Sequence, residues 1–184
     1  MEFRTAAIYH ASNTALGQVD NIQNSFIRSL GLTTEESLLV FGLAPLATRR
    51  DIAMLGIIHR SILDQGPAHF RQYFQRAGPS SHPSGSIAQR RHSKQLQSFR
   101  DGSRNLVSFT NSIFGLVDVY NLLPGWIIEM GTTKNFQTCL QHLLKHNASM
   151  GYPFWQTLFS GREPLWRHPL LRCVAPPDMP ELSM

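Results

Sequence analysis

Five consecutive residues, Arg90-Arg91-His92-Ser93-Lys94, carry the strongest functional signal in the sequence. They lie in a segment rich in Ser, Gly, Pro and Arg, with few apolar residues. Between residues 71 and 104 there are seven Lys or Arg residues and one acidic residue, whereas the remainder of the chain has ten basic and eleven acidic residues. Basic side chains in a flexible segment can neutralise a phosphate backbone, and Phe99 could stack on a base. A solvated charged loop or a localisation signal is the open alternative.

The overall charge agrees with an acidic partner, because the formal net charge is +5 and the isoelectric point is about 9.7. Nucleic acid, RNA or DNA, is the first candidate. We select the predicted phosphate contacts by charge, not by a motif. They are Arg49, Arg50, Arg90, Arg91, Lys94, Arg100 and Arg104.

A zinc site is the second chemistry that the residue types allow. Cys139, His142 and His146 follow one another at steps of three and four, on one face of a predicted helix, and Cys173 could be a fourth ligand. However, Cys139 also belongs to an apolar stripe, and the sequence lacks a second close ligand pair. A buried cysteine with two exposed histidines is therefore the favoured interpretation, and we predict no metal and no cofactor.

Catalytic signatures are missing from the sequence. It contains neither G-x-x-x-x-G-K-[ST] nor G-x-S-x-G. A two-metal polymerase site needs clustered aspartates, and the nearest candidate is the lone Asp118 in Val117-Asp118-Val119-Tyr120. We therefore predict that the chain is not an enzyme.

The elements that must position these residues are mainly helical. Residues 14–30 have an amphipathic pattern, and Thr33-x-x-Glu36 is a capping box that opens a short helix. The stretch from Leu43 to Phe74 contains the clearest helix, which we expect to begin at a Thr48 cap and to end at Gly66-Pro67. The apolar stripe of the first helix comprises Leu16, Val19, Ile22, Phe26, Ile27 and Leu30.

The second half of the chain is also predicted to be helical after one ambiguous stretch. Near residues 106–120 a short β element and a helix from Ser112 to Tyr120 are equally compatible with the pattern. Pro124 could open a short helix, and Thr132 or Thr133 could cap a longer one. We predict a small helical domain with three parts: a thumb-like block at 1–76, a basic loop or linker at 77–105, and a second helical block with an irregular Pro- and Trp-rich tail at 106–184.

The two cysteines, Cys139 and Cys173, are too few for a disulfide framework. The N-terminal residues contain no long apolar run, so neither a signal peptide nor a membrane span is predicted. These features favour an intracellular location, nuclear or cytoplasmic, and no membrane association.

Two blocks of the sequence, Leu16–Phe74 and the motifs between Ser112 and Leu140, together resemble one family. They are similar to the region downstream of the polymerase palm in the reverse transcriptases of LINE-type (non-LTR) retrotransposons. Residues 19–28 resemble the family pattern L-x-x-[IV]-Q-x-x-F-[IL]-R. Later, Ser112 leads to Tyr120-Asn121-Leu122-Leu123-Pro124, which resembles a motif ending in W-N-x-L-P, with Tyr120 in place of Trp. Phe136-Gln137-Thr138-Cys139-Leu140 resembles the family's F-[KQ]-x-x-L. The ordered motifs extend over most of residues 5–170.

This resemblance implies a noncatalytic thumb-like and C-terminal fragment of a reverse transcriptase, because the sequence lacks the Y-x-D-D loop, the endonuclease domain and the Cys/His knuckles of some family members. Such a fragment would retain contact with the RNA or DNA backbone. The alternative is a structural helical module that docks on a protein partner, originally the polymerase palm. In that case exposed apolar surface around Leu38–Leu46 would favour self-association.

Overall fold

The computed structural model describes residues 8–77, 92–98 and 111–176. Predicted contacts at Arg90, Arg91, Arg100 and Arg104 lie outside these residues. The described residues form a mainly helical domain, as predicted. Its α-helices are α1 (Asn13–Ser29), α2 (Thr34–Phe41), α3 (Leu46–Ile62), α4 (Leu116–Leu122), α5 (Gly125–Ile128) and α6 (Thr133–Ser149).

Helices α3 and α6 pack against each other most extensively and form the centre of the domain. Leu55 and Ile58 of α3 and Leu140 and Leu143 of α6 are completely buried. At Gly56 the two helices approach so closely that a Cβ atom would lie 2.3 Å from Nε2 of Gln137. The core is continuous and includes residues from before residue 77 and after residue 111.

The central helix begins differently from the prediction. Pro45 occupies the N-cap position of α3, and Thr48 lies inside the helix. The Thr48 hydroxyl donates a hydrogen bond of 2.7 Å to the carbonyl of Gln156 instead of capping the helix. Proline before the first turn fixes a suitable φ, so the helix can begin without a side-chain cap. The predicted cap at Thr48 was therefore wrong. The predicted end at Gly66-Pro67 is also too late, because α3 ends at Ile62 and Asp64 already has a positive φ of 59°.

The helix boundaries predicted at the capping residues Thr33 and Thr132 agree with the structure. The Thr33–Glu36 capping box is formed in both directions, and Gly42 ends α2 in the left-handed conformation, with φ of 66°. Thr132 caps α6 through the backbone N–H of Asn135. Among residues 111–122, the ambiguous stretch forms a 3-10 turn followed by α4, so the helical alternative is confirmed there and the β element is not.

The first helix buries less of its apolar stripe than its pattern predicts. Leu16 and Ile27 are buried, whereas the side chains of Ile22, Phe26 and Leu30 are more than half exposed. Polar contacts hold this region instead: the Gln23 amide donates to the carbonyl of Ala44, and Asp20 forms an ion pair with α3.

In the part of the chain that the structure describes, no helix is both long and apolar enough to cross a bilayer.

Candidate nucleic-acid interface

Residues 92–98 form a docked segment inside the predicted basic loop. The backbone N–H of Ala77 donates to Gln95 at 2.8 Å, and the N–H of Gln97 donates to Gln75 at 2.9 Å. Leu96, between these two bonds, is buried. The composition of residues 77–105 predicted a surface loop or linker, but this part of it lies against the core.

Asn121 of α4 fixes the centre of the docked segment. Its side-chain amide accepts a hydrogen bond from the N–H of Leu96 at 2.8 Å and donates one to the carbonyl of Leu96 at 2.9 Å. One side chain thus satisfies both backbone groups of a buried residue, as burial requires.

The polar residues of the docked segment contact α4 and the C-terminal end of α5. The Lys94 ammonium donates to the carbonyl of Ile128 at 2.9 Å, and the Ser93 hydroxyl donates to the Glu129 carboxylate at 2.9 Å. Lys94 is half-buried, so its charge is partly directed at protein. Lys94 therefore helps to hold the segment as well as being a predicted phosphate contact.

His92 is buried and adds no charge to the basic segment at neutral pH. Its Nε2 donates to the carbonyl of Tyr120 at 3.1 Å, and its ring lies edge-on to the Tyr120 ring. Burial lowers the pKa of His92, although the hydrogen bond to Tyr120 opposes the change. The Nδ1 atom has no hydrogen-bond partner in the structure.

A polar groove of about 200 Å³ lies beside the docked segment. Its lining consists of the side chains of Gln72, Tyr73, Gln75, Gln97 and Ser98. The Tyr73 ring is 42% exposed and contacts Phe114 edge-on. An exposed aromatic face can stack a base, and amides can hydrogen-bond to base edges or sugars.

Exposed basic residues flank this groove. Arg76 immediately follows Gln75, and Arg71 immediately precedes Gln72; both are exposed. Arg71 forms an ion pair with Asp64 at 3.0 Å, but both side chains are more than half exposed to solvent. An exposed pair of this kind is weak, so the Arg71 guanidinium can exchange its partner for a phosphate.

The two predicted contacts on α3 have different environments. Arg50 is buried, and its two terminal nitrogens donate to both carboxylate oxygens of Asp20 at 2.7 and 2.8 Å. This bidentate pair leaves Arg50 unavailable to a phosphate, so we remove it from the interface. Arg49 is half-buried and lines a groove between α3 and α6. The sequence could not separate these neighbours, since both follow Thr48 at the start of one helix.

The four residues of the possible zinc set are not arranged as a metal site. Cys139 is completely buried in the core, and burial raises the pKa of its thiol. The Cys173 thiol donates instead to the carbonyl of Leu170, and His142 is exposed. Within the described ranges, no group of three or more His, Cys, Asp or Glu side chains could hold a metal ion.

A buried carboxyl that the sequence did not identify as unusual lies where α3 meets the start of the chain. The Tyr9 hydroxyl donates to Asp51 at 2.6 Å, and Arg50 and Arg162 lie nearby around a cavity of about 110 Å³. Burial raises the pKa of Asp51 to about 7, although the Tyr9 hydrogen bond and the two arginines oppose the rise. The sequence has no signal for this pairing, because Tyr9 and Asp51 lie 42 residues apart.

His59 is a second buried titratable group. Its Nε2 donates to the carbonyl of Met130 at 2.9 Å, so Nδ1 accepts the Tyr120 hydroxyl at 3.0 Å. The ring stacks on Phe136 with centroids 4.0 Å apart. Burial lowers the pKa of His59 to about 4, so it is neutral at physiological pH. Both ring nitrogens are used, which indicates a structural role.

Asp118, the single candidate for polymerase chemistry, also has a structural contact. Its carboxylate accepts a hydrogen bond from the Ser98 hydroxyl at 2.8 Å and is buried. This bond ties the end of the docked segment to α4.

In comparisons with models of protein families, with curated proteins and with solved structures, none matches this chain.

Proposed function

We propose that this chain binds the backbone of RNA or DNA without catalysing a reaction on it. The observation that carries the proposal is the charge of residues 71–104, with seven basic side chains and one acidic side chain. Proteins that neutralise phosphates gain affinity by releasing counterions, and this requires clustered Lys and Arg rather than a particular fold.

The docked segment supports this proposal because it lies, in sequence, between the basic residues at 90–91 and 100–104. Arg91 is covalently adjacent to His92, and Arg100 is two residues beyond Ser98. Hydrogen bonds to Asn121, Ile128 and Asp118 attach this segment to α4 and α5. A ligand that binds next to an attached segment has less conformational freedom of that segment to remove than it would in a free tail.

The resemblance to the post-palm region of LINE-type reverse transcriptases gives separate support. In that family the region contacts template RNA and the primer duplex, and it does so without the catalytic aspartates. The proposed role is therefore that of a noncatalytic, thumb-like nucleic-acid-binding domain.

The proposal is tested by measuring the affinity of the purified chain for a fluorescent RNA hairpin and a DNA duplex at low salt. The variant Arg90→Ala/Arg91→Ala removes two charges from the basic segment. We expect it to bind roughly tenfold more weakly, since each phosphate contact contributes to counterion release. The double variant Arg167→Ala/Arg172→Ala is the matched control, because both arginines are exposed and lie in the C-terminal part of the chain.

Equal losses in the two double variants would mean that only the net charge matters, and the proposed segment would be wrong. An absence of binding by the wild-type chain at low salt would refute nucleic-acid binding as a whole.

A second candidate function is docking on a protein partner, such as a polymerase palm, or self-association. It is favoured by the large apolar side chains that α1 and α2 leave in solvent: Ile22, Phe26, Leu30, Leu39, Val40 and Phe41. Around Leu38–Leu46, where such surface was expected, Leu38 and Ala44 are buried, and the exposed residues are those at the end of α2. Single exposed apolar residues are ordinary, whereas these six all lie within residues 22–41 and offer surface that a partner could cover.

This second candidate predicts concentration-dependent association, which light scattering after size-exclusion chromatography measures. Phe26→Asp should return an associating chain to the monomer. A wild-type chain that remains monomeric at high concentration and binds no apolar dye would exclude self-association through this face.

A further inference from the structure

A second groove, separate from the docked segment, lies between α2, α3 and α6. It has a volume of about 370 Å³, which is within the range of small-molecule sites. Leu38, Ile52 and Leu144 form its apolar floor. Its size and floor suit a flat ring system rather than a single ion.

The rim of the groove combines an aromatic ring, amides and positive charge. Phe41, at the C-terminal end of α2, is 65% exposed. Gln141 of α6 supplies an amide group, and Lys145 lies one turn beyond it. Gln137 also lines the groove, but its amide donates to the carbonyl of Ile52 at 3.5 Å. Nζ of Lys145 lies 3.5 Å from the position that a Cβ atom would take at Gly42, which places the ammonium at the C-terminal end of α2.

The electrostatic environment favours an anion near Lys145. Helix α6 contains no Asp or Glu, and Lys145 has no ion pair within the residues that the structure describes. The nearest acidic residues in sequence on α2 are at its other end, where the Glu36 carboxylate accepts two hydrogen bonds from Thr33. Arg49 lines the opposite side of the groove and adds a second positive charge.

These groups match the chemistry of a single nucleic-acid strand. Bases of every sequence offer a π-face for an exposed aromatic ring, and their edges accept and donate hydrogen bonds to glutamine amides. The phosphate that connects two nucleotides needs a cation beside the stacked base. A fatty acid would use the floor and one cation but would leave the Gln141 amide unpaired.

We propose that this groove binds a nucleotide of a single strand, with the base against Phe41 and the adjacent phosphate at Lys145. The inference rests on the proposed nucleic-acid binding and specifies a second contact, distinct from the basic segment, that selects single strands over duplexes. A base within a duplex has no free face to stack on the ring.

The test compares the full-length chain with Phe41→Ala and Lys145→Gln, using a fluorescent single-stranded RNA of about eight nucleotides. Each variant has a matched control: Val40→Ala removes an adjacent exposed apolar side chain, and Lys134→Gln removes an exposed lysine of the same helix that does not line the groove. Phe41→Ala should weaken binding about tenfold, because stacking on an aromatic ring contributes strongly per base. Lys145→Gln should weaken it severalfold, and both controls should bind like the wild type.

A photo-crosslinking experiment provides an independent measurement. RNA that contains 4-thiouridine should form its principal adducts with residues of the α2–α6 groove, and Phe41→Ala should reduce their yield. Circular dichroism of each variant verifies that it is folded.

The outcomes separate this inference from the proposed function. If Arg90→Ala/Arg91→Ala weakens RNA binding but Phe41→Ala and Lys145→Gln do not, the groove assignment is wrong and the proposed function remains. If the wild-type chain binds no nucleic acid, both are wrong. Tight binding of a fluorescent fatty acid that RNA cannot displace, lost in Phe41→Ala, would assign the groove to a different ligand and overturn the inference.

Discussion

Helices α1 and α6 are both 17 residues long, both begin with a hydroxyl cap and both have an amphipathic pattern, yet they are held in the domain by different forces. Helix α6 buries seven residues, and five of them belong to its apolar stripe. Helix α1 buries two and leaves Ile22 and Phe26 more than half exposed. An amphipathic pattern therefore predicts a helix reliably, but it does not predict whether the apolar face is covered.

The attachment of α1 is polar where that of α6 is apolar. Asp20 of α1 forms a bidentate pair with Arg50, and Tyr9, just before the helix, donates to Asp51. A buried charged pair stabilises little in net terms, but it is costly to break and it fixes one orientation. The polar contacts thus fix the orientation of α1, and in this orientation part of its apolar face points to solvent.

The largest expected difference between the two helices comes from shortening one apolar side chain in each to alanine. Leu140→Ala should lower the free energy of unfolding by about 2–5 kcal/mol, since Leu140 is completely buried and the change leaves a cavity. Phe26→Ala in α1 should change it by less than about 0.5 kcal/mol, because the Phe26 side chain is already 56% exposed. Urea denaturation measures both, and similar losses would show that α1 is packed as tightly as α6.

The contributions of Asp51 and His59 to the free energy of unfolding should change with pH in opposite directions. Asp51 keeps its proton in the folded chain up to about pH 7, whereas the unfolded chain loses it near the ordinary value, so its contribution to the free energy of unfolding decreases as pH rises. The pKa of His59 falls to about 4 on folding, so the unfolded chain binds a proton first as pH falls, and the His59 contribution increases as pH rises. The lowered pKa of His92 acts in the same direction as that of His59.

Between about pH 4.5 and 6.5 the contributions of Asp51 and His59 should nearly cancel, at about 1.4 kcal/mol per pH unit each. Asp51→Asn keeps an acceptor for the Tyr9 hydroxyl and removes the contribution to the free energy of unfolding that decreases as pH rises. Relative to the wild type, its free energy of unfolding should therefore increase by about 2.5 kcal/mol over this range. Urea denaturation at several pH values measures this, and parallel pH profiles for the two proteins would contradict the assignment of Asp51.

The smallest expected difference concerns the two helix caps. Thr132→Ala should lower the free energy of unfolding by about 1 kcal/mol, because α6 unfolds together with the core. Ser12→Ala should cost less, because its bond to Ala15 at 3.3 Å stabilises the first turn of a lightly packed helix. Equal costs would place α1 within the same cooperative unit as α6.

Local signals account for the parts of the fold that the sequence predicted. Thr33 and Glu36 lie three residues apart and form their capping box from neighbouring atoms, and Thr132 caps α6 in the same way. These interactions need no information about distant parts of the chain. The mainly helical fold could be predicted for this reason.

Contacts between residues that are far apart in the chain could not be predicted from the sequence. Thr48 has the residue type of a cap but bonds to Gln156, and Leu96 is buried because Asn121 satisfies its backbone. For the candidate site, charge identified the basic segment, but it could not distinguish Arg49 from Arg50 or identify the groove beside Phe41. Burial and partner geometry decide those questions, and neither has a short-range signature.

The most direct test of the account is the salt dependence of RNA binding by the wild-type chain and by Arg90→Ala/Arg91→Ala. Fluorescence anisotropy with a single-stranded RNA between low and moderate salt gives the slope of log affinity against log salt concentration. We predict a steep wild-type slope that falls by about 1.4 in the double variant, since each phosphate contact on a single strand contributes about 0.7. Identical slopes for the two proteins would contradict the claim that the basic segment binds the nucleic-acid backbone.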